Sequence, residues 1–305
     1  MKRTIVVAVI VLLAASCART GAGDLGPVAG GETPSAGSST PTLSPQPPTS
    51  PTGAPSAEPT GSGGTAETMT YEVWFTAGEG TLFVTHRTVP ADPRIGTAAM
   101  ESLLAGPTAA ERRAGVGSAL PSETKLLGLT IQDGLATVDL TGDVESGGGS
   151  LLMMLRLGQL TYTLTQFPTV NGVLIELDGR RVDTFSTEGL MTDRPLTRKA
   201  YRILLPPILV ERPAIGERVS SPLTVVGSAD VFEATVSISL LDARGDEIVR
   251  TFTTATCGTG CRGTYEKTIR YTVPETQPGI LRVYEASAED GTPVNVVEIP
   301  VVLSA

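Results

Sequence analysis

Residues Leu151–Asp178 read LLMMLRLGQLTYTLTQFPTVNGVLIELD, and this run decides the fold class of the first half of the chain. Met153, Leu157, Leu160, Leu164 and Phe167 recur at helical spacing and form one apolar stripe. Arg156, Gln159, Thr163 and Gln166 form a second stripe, which the pattern assigns to water. Ser150, after Gly147-Gly148-Gly149, is the expected N-cap, and Pro168 the stop. Asn171-Gly172 then turns the chain, and Val173, Ile175 and Leu177 alternate with Glu176 and Asp178 as a half-buried strand does. A helix feeding a strand, both with an apolar side, is expected to be the core of a domain.

Working back toward the N-terminus, Asp133-Gly134 joins Leu127–Ile131 to Leu135–Leu140, a hairpin signal. Thr108–Ser122 reads as a loop, and Thr97–Leu104 as a short helix closed by Gly106-Pro107. Tyr71, Val73 and Phe75 alternate with Glu72 and Trp74 as a first strand, with Leu82–Thr88 as a second. On the C-terminal side, Asp178-Gly179 predicts a last hairpin to Val182. Together these give an α+β two-layer domain over 70–200, with helices on one face of a mostly antiparallel sheet. From Tyr201 the character changes. Leu223–Val226, Thr235–Leu241, Glu247–Thr254, Thr264–Tyr271, Gly279–Ala286 and Pro293–Val302 are β-rich segments with turn residues between them. Without a helical period, they predict an all-β sandwich over 201–305.

The N-terminus carries a different signal. Lys2-Arg3, the apolar run Thr4–Leu13 and Ala14-Ala15-Ser16-Cys17 have the layout of a secretory leader over 1–17. Small residues before Cys17 resemble a bacterial lipobox, although Ala14 stands where leucine is usual. Cys17 is accordingly the expected lipidation site, anchoring the chain to the extracytoplasmic face of the cell membrane. Residues 18–68 are dominated by Gly, Pro, Ser, Thr and Ala and are expected to be a disordered tether. Such a tether of roughly 50 residues reaches about 40 Å as a coil and about 150 Å as polyproline II. Net charge is −9, and about −11 once Lys2 and Arg3 leave with the leader. The excess acid, with no Lys/Arg cluster, argues against nucleic acid as a partner.

Leu103-Leu104-Ala105-Gly106-Pro107-Thr108, Glu111, Gly115, Ser118-Ala119-Leu120-Pro121, Ala136-Thr137-Val138-Asp139-Leu140 and Leu160–Thr165 together resemble the GerMN domain. That domain is named for sporulation and spore germination and also occurs in actinobacterial lipoproteins of the LpqB type. The resemblance implies no catalytic residues. It implies a fold similar to ring-building domains of secretion and sporulation assemblies, which work by protein–protein contact. Ser221-Pro222-Leu223, Gly227-Ser228-Ala229, Val231-Phe232-Glu233-Ala234 and Tyr284–Ala288 resemble the immunoglobulin-like domain of bacterial spore germination, an accessory module that binds or spaces.

Candidate chemistry is sparse. Cys257 and Cys261, spaced C-x3-C, are expected to form a local disulfide in an oxidising compartment. His86 is the only histidine, so a Ser-His-Asp or Cys-His engine would have to run through it; its place late in a strand favours a structural role. Asp139, Asp143 and Glu145 do not match a calcium-loop spacing and read as solvated loop acids. The triple glycine lacks the lysine of a phosphate loop. Glu233 is expected either to accept hydrogen bonds from a neighbouring loop or to sit in a binding edge. Trp74 is expected to pack. No cofactor or metal is expected. The sequence therefore points to a non-enzymatic interaction module in the cell envelope with an envelope protein partner. Peptidoglycan or another glycan is the second ligand class, and a wall hydrolase the third reading.

Overall fold

In the computed structural model, residues 67–78 and 80–305 are described; Cys17, the leader and nearly all of the expected tether lie outside them. Strands β1 (Thr68–Ala77) and β2 (Thr81–Pro90) form an antiparallel hairpin, with Val73, Trp74 and Phe75 of β1 all buried. Three consecutive buried residues mean that β1 is covered on both faces. Helix α1 (Ile95–Ala105) follows, then a helix within the expected loop, α2 (Ala109–Arg113). A capping box creates α2: Glu111 N donates to Thr108 Oγ1 (3.2 Å) and Thr108 N to Glu111 Oε2 (2.7 Å).

Strand β3 (Val116–Gly117) joins the first sheet, in the order β2-β1-β3. Next come β4 (Leu126–Gln132) and β5 (Leu135–Leu140), joined by Asp133-Gly134, both with positive φ (50° and 81°), as a two-residue hairpin turn requires. Helix α3 (Ser150–Leu164) then crosses over to β6 (Gly172–Leu177), which pairs parallel to β5, and β7 (Arg180–Arg181) closes the order β4-β5-β6-β7. The domain is α+β as expected, but its strands divide between these two sheets and a small two-stranded one near its end, and the α3 crossover makes one pair parallel. Short strands β8 (Thr184–Phe185) and β9 (Leu190–Met191) and a 3-10 segment, Arg198–Leu204, lead out of it.

Helix α3 is buried without a break from Leu155 to Leu164 and packs on α1, β1, β2 and β6. The second stripe is therefore not a solvent face. Gln159 Oε1 accepts from Ala119 N (2.8 Å) while its Nε2 donates to Trp74 O (3.0 Å). Thr163 Oγ1 accepts from Trp74 N (3.1 Å), and Gln166 bonds both N and O of Glu72. Side-chain amides and hydroxyls thus satisfy the β1 groups that no strand pairs on that side. Ser150 is the first helical residue rather than the cap; Gly149 caps without a side chain, and Ser150 Oγ bonds Glu188 instead.

The second domain is a sandwich of two sheets. One holds β10 (Ile208–Arg212), β12 (Leu223–Ala229) and β15 (Gly263–Ile269). In the other, β11 (Arg218–Val219), β17 (Pro293–Leu303), β16 (Gln277–Ala286), β13 (Thr235–Leu241) and β14 (Glu247–Thr254) lie side by side in that order. Val236, Ile238, Leu240, Leu281, Val283 and Ile299 fill the space between them.

Glu111 couples α2 to the first hairpin. Its carboxylate, 5% exposed, takes a bidentate bond from Arg87 (2.6 and 2.8 Å) in addition to the cap. Burial pushes its pKa up, but the bonds from Arg87 and Thr108 together outweigh burial and hold it below the ordinary value. A folded-state pKa below the unfolded one contributes stability above the unfolded value, and that stability is lost as pH falls through the folded one. Glu111→Gln should cost about 3 kcal/mol at neutral pH. In urea titrations the gap to wild type should narrow progressively below about pH 4.

Candidate interaction surface

The sequence-predicted residues do not converge on a reaction centre. His86 lines a cleft of ≈ 540 Å³ between the two domains with Thr70, Thr88, Arg212, Ala214 and Glu217. Burial lowers its pKa, with Glu72 acting in the opposite direction, and its imidazole makes no hydrogen bond among the described residues. Asp139 Oδ1 accepts from Gly179 N (3.0 Å) and Glu145 from Ser186 N, so both tie loops together, while Asp143 is exposed. Among the described residues no three His, Cys, Asp or Glu side chains are grouped to hold a metal. Gly147 and Gly148 adopt φ of 63° and 89°, and the loop is held by Arg156, whose NH2 donates to Ser146 O and Gly147 O. Trp74 is 2% exposed, its ring 4.6 Å from that of Tyr162 and 5.5 Å from the Arg198 guanidinium.

Strand register instead builds a patterned surface on the outer face of the five-stranded sheet. Ser237 opposes Phe252 on one side and Tyr284 on the other. Val297 opposes the inward-facing Val283, which places Val296 on the outer face. Phe252, Tyr284 and Val296 therefore form an apolar row across the sheet, with Phe252 63% and Val296 46% exposed at its two ends and Tyr284 covered between them at 7%. The adjacent row is Arg250, Ser239, Arg282 and Glu298. It is internally neutralised: Glu247 accepts from Ser239 Oγ (2.8 Å) and Arg250 Nε (3.0 Å), and Arg282 donates to Glu298 (2.8 Å).

At the rim of this sheet the turn Phe232-Glu233-Ala234 leaves Phe232 53% exposed. Glu233 and Ala234 have φ of 53° and 55°, conformations that cost about 1–3 kcal/mol each and persist only where surrounding bonds impose them. Those bonds are visible. Phe232 N donates to Glu285 Oε1 (2.9 Å), whose other oxygen accepts from Asn295 Nδ2 (2.7 Å). Glu233 N donates to Thr259 Oγ1 (3.1 Å), and Thr259 N to Val231 O (2.9 Å). Thr259 lies inside the ring closed by Cys257 and Cys261, which are joined by a disulfide with Cα atoms 5.7 Å apart. Gly258 in the same ring touches Ala234 so closely that a Cβ would land on its backbone. The two cysteines thus sit beneath the turn that presents Phe232. The Glu233 carboxylate accepts no hydrogen bond among the described residues; Glu285 is the acid that bridges the loops. Sequence reading missed Phe252, Tyr284 and Val296 as a group. The one available signal was an aromatic at the outward parity of an otherwise polar strand, EIVRTFTT.

Residues 68–183 match the family model described as "Sporulation and spore germination" (Germane), and residues 207–292 match the "Immunoglobulin-like domain of bacterial spore germination" (Gmad2). Among solved structures, the first GerMN domain of the sporulation protein GerM from Bacillus subtilis aligns at 19% identity and TM-score 0.38, over 43% of this chain and 98% of that one. The tandem GerMN domains of the same protein align at 16% identity and TM-score 0.39, over 66% of this chain and 61% of that one. No curated protein matches the chain.

Proposed function

Because the chain is a GerMN domain followed by the immunoglobulin-like domain of bacterial spore germination, we propose that it is a non-enzymatic protein–protein interaction module of the cell envelope. In this reading a lipid on Cys17 holds it at the extracytoplasmic face of the membrane, and the Pro/Ser/Thr-rich tether carries the two domains out to an envelope protein partner. The observation that supports the reading is the set of exposed apolar side chains Phe252, Val296 and Phe232 on and beside the outer face of the five-stranded sheet, with Tyr284 packed between the first two. Exposed aromatics beside arginines and a polar border are the composition of a contact patch, in which a few central side chains supply most of the affinity. Both matched families are named for sporulation and germination and not for a reaction.

The test is in-cell crosslinking of wild-type, Phe252→Ser, Phe232→Ser and Cys17→Ala chains, with mass spectrometry of the captured species. One defined protein should be captured by wild type. Each Phe→Ser change should weaken purified-partner binding about tenfold or more, with thermal stability shifted by about 0.5 kcal/mol or less because both rings are largely exposed. The Cys17→Ala chain should lose the partner together with the membrane fraction. Recovery of muropeptides without a protein would sink the reading.

A further inference from the structure

A second cavity lies where the two domains join, and its lining is out of keeping with a chain of net charge −9. It encloses ≈ 410 Å³ between the 3-10 segment Arg198–Leu204 and the second domain, against Lys199, Arg202, Ile203, Leu205, Asp230 and Arg262. Register brings the last two together: Ala229 at the end of β12 opposes Gly263 at the start of β15. Arg262 is half-buried and held in place, Nη1 donating to Ser228 O (3.2 Å) and Ser228 Oγ (3.3 Å) and Nη2 to Pro206 O. Its Nε–H makes no hydrogen bond among the described residues, so one edge of the guanidinium fork is open. Burial is the largest influence on its pKa and lowers it; Arg202 pushes the same way, while Asp230, Tyr162 and Glu211 oppose. Lys199 and Arg202 are exposed, and neither they nor Arg262 form an ion pair among the described residues. Asp230 is the one acid among the described lining residues, and its Oδ1 accepts from Gly260 N (2.8 Å).

We infer that this cavity binds the phosphate of a small phosphomonoester. Three cations against one carboxylate leave the lining with a charge of +2. A phosphomonoester carries about −1.5 to −2 at pH 7 and offers three acceptor oxygens, enough to meet Lys199, Arg202 and the open edge of Arg262 together. A carboxylate or a phosphodiester brings a single charge and leaves a cation unmatched. Nucleic acid needs a track of cations along its backbone rather than one recess. The volume lies within the roughly 300–1,000 Å³ of small-molecule sites, so there is room for the body of the ester beside its phosphate. Ile203, 82% exposed and the barest large apolar side chain among the described residues, stands at the rim with half-buried Leu205 to cover that body. The planar fork of Arg262 suits two phosphate oxygens at once, and Lys199 supplies a mobile point charge. None of these residues belongs to the outer face of the five-stranded sheet, so the site is independent of the protein contact proposed above.

Titration calorimetry of the full chain, purified in detergent, against glycerol monophosphate at low salt reads the site directly. The monoester should bind about tenfold or more tighter than acetate or dimethyl phosphate. Its affinity should fall as pH drops through about 6, where the ester takes up its second proton. Arg262→Gln should weaken binding about tenfold or more. Because Arg262 also holds Ser228 and Pro206, the decisive variant is Lys199→Gln/Arg202→Gln, which changes two exposed side chains. It should weaken binding to the same degree with melting unchanged, while Arg244→Gln, at an exposed arginine on the β13–β14 turn, should bind as wild type does. Three results would overturn the inference: no binding of the monoester at millimolar concentration, acetate or dimethyl phosphate binding as tightly, or a double variant that binds as wild type does. Micelles doped with phosphatidate should compete no better than glycerol monophosphate at equal phosphate. Markedly stronger competition would assign the site to a membrane lipid and overturn the small-molecule reading.

Discussion

Arg156→Met is expected to destabilise the first domain by about 4 kcal/mol, a large share of the roughly 5–15 kcal/mol available to a typical domain. The guanidinium is 3% exposed and donates to four main-chain oxygens: Ala119 O (2.9 Å), Val144 O (2.7 Å), Ser146 O (2.8 Å) and Gly147 O (2.9 Å). No carboxylate pairs with it among the described residues, and burial lowers its pKa. It is therefore a cation solvated by backbone carbonyls, which binds the 119 loop and the triple-glycine loop to the middle of α3. Methionine fills the stem volume and returns none of the donors. The Ala119 and Val144 carbonyls then lose a partner in a dry site, while those of Ser146 and Gly147 can rehydrate. Arg156→Lys keeps the charge but not the planar fork, so it should recover less than half of the loss. Urea unfolding monitored by Trp74 fluorescence would show the midpoint falling with an unchanged slope. A loss below about 1 kcal/mol would mean that the two loops do not need this cation.

Gly227→Ala should cost about 3 kcal/mol or more in the second domain. Gly227 sits in the middle strand of the three-stranded sheet, opposite Val210 and Tyr265. The Tyr265 ring lies across it, and Tyr265 Oη donates to Leu209 O at 3.0 Å. A Cβ at 227 would land on that carbonyl and on the phenol oxygen, neither of which is the free end of a flexible chain. Relief requires either parting β10 from β12 or expelling Tyr265, whose hydroxyl then loses a buried bond. Calorimetry would see the melting temperature drop by about 12 °C or more for a domain of this size. The double variant Gly227→Ala/Tyr265→Phe should be less destabilised than additivity predicts, because the phenol oxygen is part of the clash.

The sequence itself determined most of the local structure. Side-chain periodicity and turn residues act over a few residues, so the strands Thr235–Leu241 and Glu247–Thr254, the hairpin at Asp133-Gly134 and the long helix were all readable from the chain. The ordered motifs that resemble the two germination domains added the domain order. Periodicity separates the faces of a helix but does not say what covers each of them. For that reason Arg156, Gln159 and Thr163, assigned to water by pattern, turned out to be buried against unpaired backbone of β1 and the neighbouring loops. Thr108 and Glu111, read from the sequence as part of a loop, form the capping box of α2, and only the approach of Arg87 from β2 makes that acid a tie between elements. The rows on the outer face of the five-stranded sheet were hidden for the same reason. Phe252, Tyr284 and Val296 are distant in sequence and meet only through the pairing of four strands. The meeting of Lys199, Arg202 and Arg262 depends on how two distant segments pack. Tertiary structure decides both, because burial and adjacency belong to the packed chain and to no single segment of it.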